Sequence, residues 1–327
     1  MIRSSRFFLA LVAIPLPFGC AQDEVQLRQA DESLVVRTGL VIRYDAEELV
    51  LRSAEREQTF PSDRVVGVAS PWDRLALPAE QLFQSRQFES AYGEFGKGNE
   101  AATPAWFRQR LLAGRVRAAR ELGSWFQAVT AFVELYQADP QSRFASTVPL
   151  AWSPSRPDPQ LEKQIEQLLK SKQPIYQLLG ASHGLAGLQR ETAVATLKQL
   201  ARDIDPIVAR LAECQLWRLE TQVPPAAILE EREQKIRQLP EPWQAGPWWL
   251  LGNQWAAEDP EKSTLILMRI PILYPDQFQL SARALLAAGD RLNQLGRSDE
   301  ATTVWHELVD RHEGTPEARA ARERLAR

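Results

Sequence analysis

Gly180-Ala181-Ser182-His183-Gly184 fits G-x-S-x-G, the spacing that exposes a nucleophilic serine on a sharp strand-to-helix turn. Such a serine needs a base, and His306 or His312 would have to serve. The flanking residues suggest a different setting. Ile175, Leu178, Leu179 and Leu185 recur at helical spacing, which places the pentapeptide inside one helix. In a helix, the small residues at 180, 181, 184 and 187 would let a neighbouring helix come close.

Other chemistry is thinly represented. With 3 histidines in 327 residues, a metal shell would draw largely on carboxylates. His306 and His312 lie six apart, so a straight helix turns them to different sides, and both read as surface residues. Glu230, Glu231 and Glu233 read as a solvated helix face, and no phosphate-cradling glycine motif is present. We expect neither metal nor cofactor. Cys214 sits in a helical apolar pattern and is expected to be a buried, inert thiol. A net charge of −3 gives no basic field for nucleic acid.

The elements that position these groups fall into two kinds. Between Ser33 and Ala69, short β-branched runs (Leu40 to Tyr44, Leu49 to Arg52, Val65 to Val68) alternate with turn-like stretches. They predict a small β module over 33–70, closed as an SH3-like open barrel and packed on the segment C-terminal to it. Beyond Pro71 the signals are helical. Asp158-Pro159, Asp205-Pro206 and Asp259-Pro260 each precede a helical apolar pattern, and Thr315-Pro316 repeats the logic. Aspartate or threonine can cap the first orphan N–H groups, and proline suits the first helical position. The middle of the chain predicts helices at 159–172, 174–188, 190–203, 206–221 and 225–238.

Internal repetition accompanies this pattern. Phe88, Ala91 and Phe95 recur as Trp125, Ala128 and Phe132 at a shift of 37 residues. Gly252, Thr264 and Met268 recur at the same shift as Gly289, Ala301 and Trp305. Each segment carries a large apolar residue four positions after a small one, on one helix face. We read Trp125, Ala128 and Phe132 as the interlocking core of a repeat.

These residues resemble the tetratricopeptide repeat (TPR), a helix-turn-helix of about 34 residues. Gly123, Trp125, Ala128, Phe132 and Pro140 match its second helix and closing turn. Trp248, Leu251, Gly252 and Trp255 match its first-helix signature, as do Leu285, Ala288, Gly289 and Leu292, with Gly296 at the turn. Arg115, Val116 and Pro271 depart from the pattern. The stretch ETAVATLKQLARDIDPIVARLAECQL also resembles a HEAT repeat. The implied fold is mainly α: an α-solenoid of TPR-like hairpins at 72–150, HEAT- or TPR-like hairpins at 151–243 and TPR-like hairpins at 244–327. Trp248 and Trp255 fall at family core positions. First-helix positions line the concave groove of such a solenoid. That register selects Arg110, Arg117 and Arg120, then Trp249 and Asn253, then Arg283, Asp290 and Asn293. Arginines there could clamp an acidic segment of a partner.

Arg3 and Arg6 followed by an apolar run to about Phe18 match a secretory signal, with Gly19 and Ala21 at the −3 and −1 positions of cleavage. Gly19-Cys20 also resembles the end of a bacterial lipobox, and a lipid on Cys20 would be the sole membrane attachment. The expectation is an exported protein of the periplasm or cell envelope: a non-catalytic scaffold that binds a protein or peptide partner in its groove. The alternatives are a serine hydrolase using Ser182 and a structural spacer lipoprotein.

Overall fold

The structure, a computed structural model, describes residues 22–54, 56–100 and 103–326. The expected signal segment and Cys20 lie outside the described residues. Five strands come first: β1 (Asp23–Arg28), β2 (Leu34–Tyr44), β3 (Glu48–Ser53), β4 (Arg56–Pro61) and β5 (Val65–Ala69). They form one antiparallel sheet in the order β4-β3-β2-β1-β5. The sheet begins ten residues before the expected boundary at 33, because DEVQLR alternates as a strand and pairs with both β2 and β5. Asp23, almost fully buried, makes this pairing specific: its carboxylate accepts from the Val41 N–H at 2.7 Å and from the Ser70 hydroxyl at 2.5 Å.

Helices fill the rest. They are α1 (Asp73–Gln84), α2 (Phe88–Glu100), α3 (Ala105–Glu121), α4 (Trp125–Ala138), α5 (Pro159–Leu169), α6 (Pro174–Gly184) and α7 (Arg190–Leu200). After these come α8 (Pro206–Trp217), α9 (Ala226–Arg237), α10 (Ala245–Trp255), α11 (Pro260–Leu273), α12 (Phe278–Gln294), α13 (Ser298–Arg311) and α14 (Pro316–Leu325). The fold is mainly α, and most helices pack against the next one in the chain, an arrangement compatible with a helical repeat. The five helices predicted in the middle all form, each ending one to four residues early. The starts of α5, α8, α11 and α14 are set by the predicted caps. Asp158, Asp205, Asp259 and Thr315 accept from the N–H groups of Leu161, Ile207, Lys262 and Ala318, with proline in the first turn each time.

The repeated residues keep equivalent places. Ala91, Phe95, Ala128 and Phe132 are fully buried, while Phe88 and Trp125 are half-buried at the helix starts. Facing helices approach closely at glycines. A Cβ on Gly114 would stand 2.5 Å from the Phe95 ring, one on Gly252 would meet Leu267 at 2.9 Å, and one on Gly289 would overlap the Trp305 indole. The sheet is not a separate body. Val25, Leu27, Val41, Leu49 and Leu51 share a single apolar cluster with Ala76, Ala79, Phe95, Phe107 and Leu111 of α1 to α3.

The turn between α1 and α2 supplies a direct test of the repeat. Arg86 holds φ +58, and 37 residues later Gly123 holds φ +70 in the corresponding turn. A side chain at left-handed φ costs roughly 1–2 kcal/mol, from which glycine's greater unfolded-state freedom subtracts part. Arg86→Gly should therefore stabilise the protein by about 0.5–1 kcal/mol, read as a raised urea midpoint at unchanged slope.

Candidate functional site

Between α4 and α5 the chain runs for twenty residues without a long element, through Pro140, Pro149, Pro154 and Pro157. Proline removes donors and disfavours helix at the residue before it, so beyond Val148 this stretch satisfies few of its own backbone groups. Yet it lies inside the protein. Val148, Pro149 and Leu150 are buried, and residues 151–153 are half-buried. A loop so placed needs partners from elsewhere, and side chains from five helical segments provide them.

The Pro149 carbonyl accepts from His183 Nε2 at 2.9 Å and from Trp125 Nε1 at 3.4 Å. The Ala151 N–H donates to the Ser182 hydroxyl at 2.8 Å, which in turn donates to the Ala151 carbonyl at 3.3 Å. Arg218, just past α8, donates to the carbonyls of Ala151 at 2.9 Å, Ser182 at 2.8 Å and Ser153 at 3.2 Å. Trp249 of α10 donates to the Trp152 carbonyl at 3.1 Å, and Arg283 of α12 to the Ser153 hydroxyl at 3.1 Å. The Trp152 indole lies so close over Gly246 that any Cβ there would overlap it. Residues 148–155 thus form a strap that ties α4, α6, α8, α10 and α12 together.

Beside the strap is a cavity of about 320 Å³, bounded by the end of α3, the start of α4, α6 and the start of α12. Its charged and titratable groups are Arg120, Arg283 and His183, and its apolar wall includes Trp125, Leu161 and Leu280. Gln277 and Gln279 add uncharged polar groups, and no acidic side chain lines it. Trp125 stacks on His183 with ring centroids 4.6 Å apart. A second cavity, about 490 Å³, shares Gly123, Trp125 and Leu161, so the Trp125 ring lines both.

Charge in the first cavity is unbalanced. Burial lowers the Arg120 pKa from its ordinary value, Glu121 works against that and Arg283 adds to it. Among the described residues, the Arg120 side chain has no hydrogen bond or ion pair. Burial also pulls His183 down to about 4; the Pro149 hydrogen bond opposes this, while Arg218 and Arg120 reinforce it. Because a carbonyl only accepts, Nε2 carries the proton of the neutral ring. Arg218 falls to about 10 for the same reason, burial.

The eight sequence-predicted groove residues divide sharply. Arg110 pairs with Asp73 at 2.5 Å and covers the Phe107 ring, and Arg117 pairs with Glu80 at 3.0 Å and covers Phe83. Both partners lie on α1, 37 residues earlier. Asp290 is bound by Arg324 of α14 at 2.5 Å, 34 residues on. These groups therefore join one first helix to the next and are not free clamps. Asn253 donates to the Trp249 carbonyl of its own helix, and Asn293 accepts a 3.4 Å bond from Ser298. Trp249 holds the strap. Arg120 and Arg283 alone of the eight meet in one cavity.

Two further expectations are adjusted, and the setting of Ser182 is as expected. Trp125 is only half-buried: it packs on the core and also faces the cavities, so its role is not packing alone. His312, expected at the surface, is buried against Phe278 with ring centroids 4.5 Å apart, whereas His306 is exposed. Gly180 to Gly184 lie wholly within α6, where Ser182 is fully buried and its hydroxyl is committed to Ala151; this is not a strand-to-helix elbow. Gly180 and Gly184 instead admit Leu168 and Ala193. Cys214 is fully buried, and burial raises its thiol pKa. Among the described residues, no group of three or more histidine, cysteine or acidic side chains could hold a metal.

Motif and periodicity do not reveal the strap or the groups bound to it: His183, Arg218 and the indole N–H of Trp125. The proline spacing from 149 to 157 is the one signal of it in the sequence. No protein-family model and no curated protein matches the chain.

Arg218→Met keeps much of the side-chain volume and strips donors from three partly buried carbonyls. It should lose about 2–4 kcal/mol in urea unfolding and open residues 148–157 to limited proteolysis. The His183 shift gives a pH signature. Its folded value lies below 6.5, so its contribution is intact above pH 6.5. It is lost as pH falls toward 4, because the unfolded ring takes up a proton that the folded one refuses. The loss is about 2 kcal/mol after allowing for partial exposure, and His183→Asn should flatten that part of the stability profile.

Proposed function

We propose that this chain is a non-catalytic binding scaffold, an α-solenoid of TPR-like and HEAT-like hairpins that takes an extended segment of a partner protein on its inner face. The observation that carries this reading is the strap. Five helical segments hold eight residues of irregular chain, mainly through side-chain donors to main-chain carbonyls, with an open cavity alongside. A face that binds main chain in this manner is suited to a partner's peptide, since donors to carbonyls accept many sequences and neighbouring pockets add selectivity.

Other features support the architecture. Glycine-to-aromatic contacts recur between paired helices, and acid–arginine bridges recur 34 to 37 residues apart, at the period of one hairpin. A solenoid stabilised by such neighbour contacts offers an extended surface without a separate catalytic domain. We read the five-stranded sheet as an SH3-like module that closes the first hairpins. The charged and apolar N-terminus supports export to the periplasm or cell envelope.

A photo-crosslinking residue at Gln279, which is exposed and lines the cavity, tests the proposal against the same residue at His306, exposed on α13 and outside the cavity. Discrete protein adducts from position 279 and none from 306 are the expected outcome. No adducts at 279, or the same adducts at both positions, would remove the inner face as the partner site.

A further inference from the structure

The smaller of these two cavities combines features that holding the strap does not exhaust. Two guanidinium groups enter it, and no carboxylate lines it. Arg283 spends Nε on Glu317 at 3.4 Å and one terminal nitrogen on Ser153. Its other terminal nitrogen has no partner among the described residues, and Arg120 has none for its whole side chain. Arginines gathered in a partly buried space repel one another and lose hydration, an arrangement that costs free energy unless an anion enters. Trp125, Leu161, Leu280 and the proline rings of the strap give it an apolar and aromatic side, with uncharged Ser153, Gln277 and Gln279 also in the lining.

We propose that this cavity binds a carboxylate attached to an apolar group, with Arg120 and Arg283 holding the carboxylate and Trp125 and Leu280 the apolar part. The inference rests on reading this face as a binding surface, and it adds the ligand's chemistry. A planar, two-oxygen anion matches the guanidinium fork. A phosphate is less well served, because its extra charge would meet no lysine and would lie against the apolar side of the cavity. A volume of about 320 Å³ is at the small end of ligand pockets and suits a group the size of a phenyl ring or a leucyl side chain. Through Gly123 and Trp125 the cavity adjoins the larger one, so a longer chain attached to the ligand has somewhere to continue.

The same chemistry is presented by a free organic acid and by the C-terminus of a peptide that ends in an apolar residue. Isothermal titration of the full chain with phenylacetate, acetyl-Ala-Leu, acetyl-Ala-Leu-amide and inorganic phosphate separates these sources. At least one carboxylate probe should bind, the amide should bind tenfold or more weaker than the corresponding acid, and phosphate should not match either acid. Arg120→Gln and Arg283→Gln should each reduce acid binding tenfold or more, and Arg110→Gln, whose parent arginine is paired with Asp73, should leave it unchanged. The acid–amide comparison on the unaltered protein stands even if a variant fails to fold, which thermal melting would reveal. Amide binding equal to acid, phosphate binding equal to acid, no binding of any probe at millimolar concentration, or full binding by folded variants would each overturn the proposal. Crosslinks at position 279 with no acid preference would sink the carboxylate site and leave the scaffold standing. Acid binding without crosslinks would do the reverse.

Discussion

A buried segment with no secondary structure must have every peptide group satisfied from outside itself, and that requirement organises this protein. Residues 149–153 find such partners for the Pro149, Ala151, Trp152 and Ser153 main-chain groups, and Arg218 is central among them. That one guanidinium reaches carbonyls of Ala151, Ser153 and Ser182 and also the Gln215 side chain. Its charge-assisted bonds compensate for burial that lowers its own pKa. Helices distant in sequence are thereby fixed to one another. Because Trp125, His183, Trp249 and Arg283 bond to the same eight residues, their mutual placement is a property of the strap more than of any single helix pair.

That constraint also separates structural arginines from the free one. Arg110 and Arg117 occur where an acidic side chain on α1 can reach them, and each covers an aromatic ring, so their charge is absorbed within the helical stack. Arg120, a turn further along α3, faces the strap, which brings carbonyls and prolines but no acid. The cavity's positive character arises from that difference. His183 adds no further positive charge, since burial and the nearby guanidinium groups keep it neutral.

The N-terminal sheet belongs to the same construction. Its inward residues are completed by α1 to α3, as about forty residues of strand would require. The sheet also touches the stretch leading into the strap: the Ala46 N–H donates to the Gln141 carbonyl, and Arg143 lies over the Tyr44 ring at 4.0 Å. Successive apolar clusters then share helices along the chain, α3 and α8 among them, so the core is continuous in its connections.

Local chemistry was legible in the sequence. Helix starts were readable from Asp-Pro and Thr-Pro, buried positions from the 37-residue echo, and the setting of Ser182 from the apolar spacing around it, because each depends on residues only a few positions apart. The first strand was not, because six residues of weak alternation signal little without β2 and β5 to pair with. The groove register selected Arg120 along with Arg110 and Arg117, but it could not tell the unpaired guanidinium from the paired ones. That distinction depends on whether a partner 37 residues away, or a strap some thirty residues onward, comes to rest beside each guanidinium. Pairing, burial and cavity shape are long-range properties. Only the tertiary structure, by bringing an irregular proline-rich segment against five helical segments, decided which charges were neutralised and which were left facing an open space.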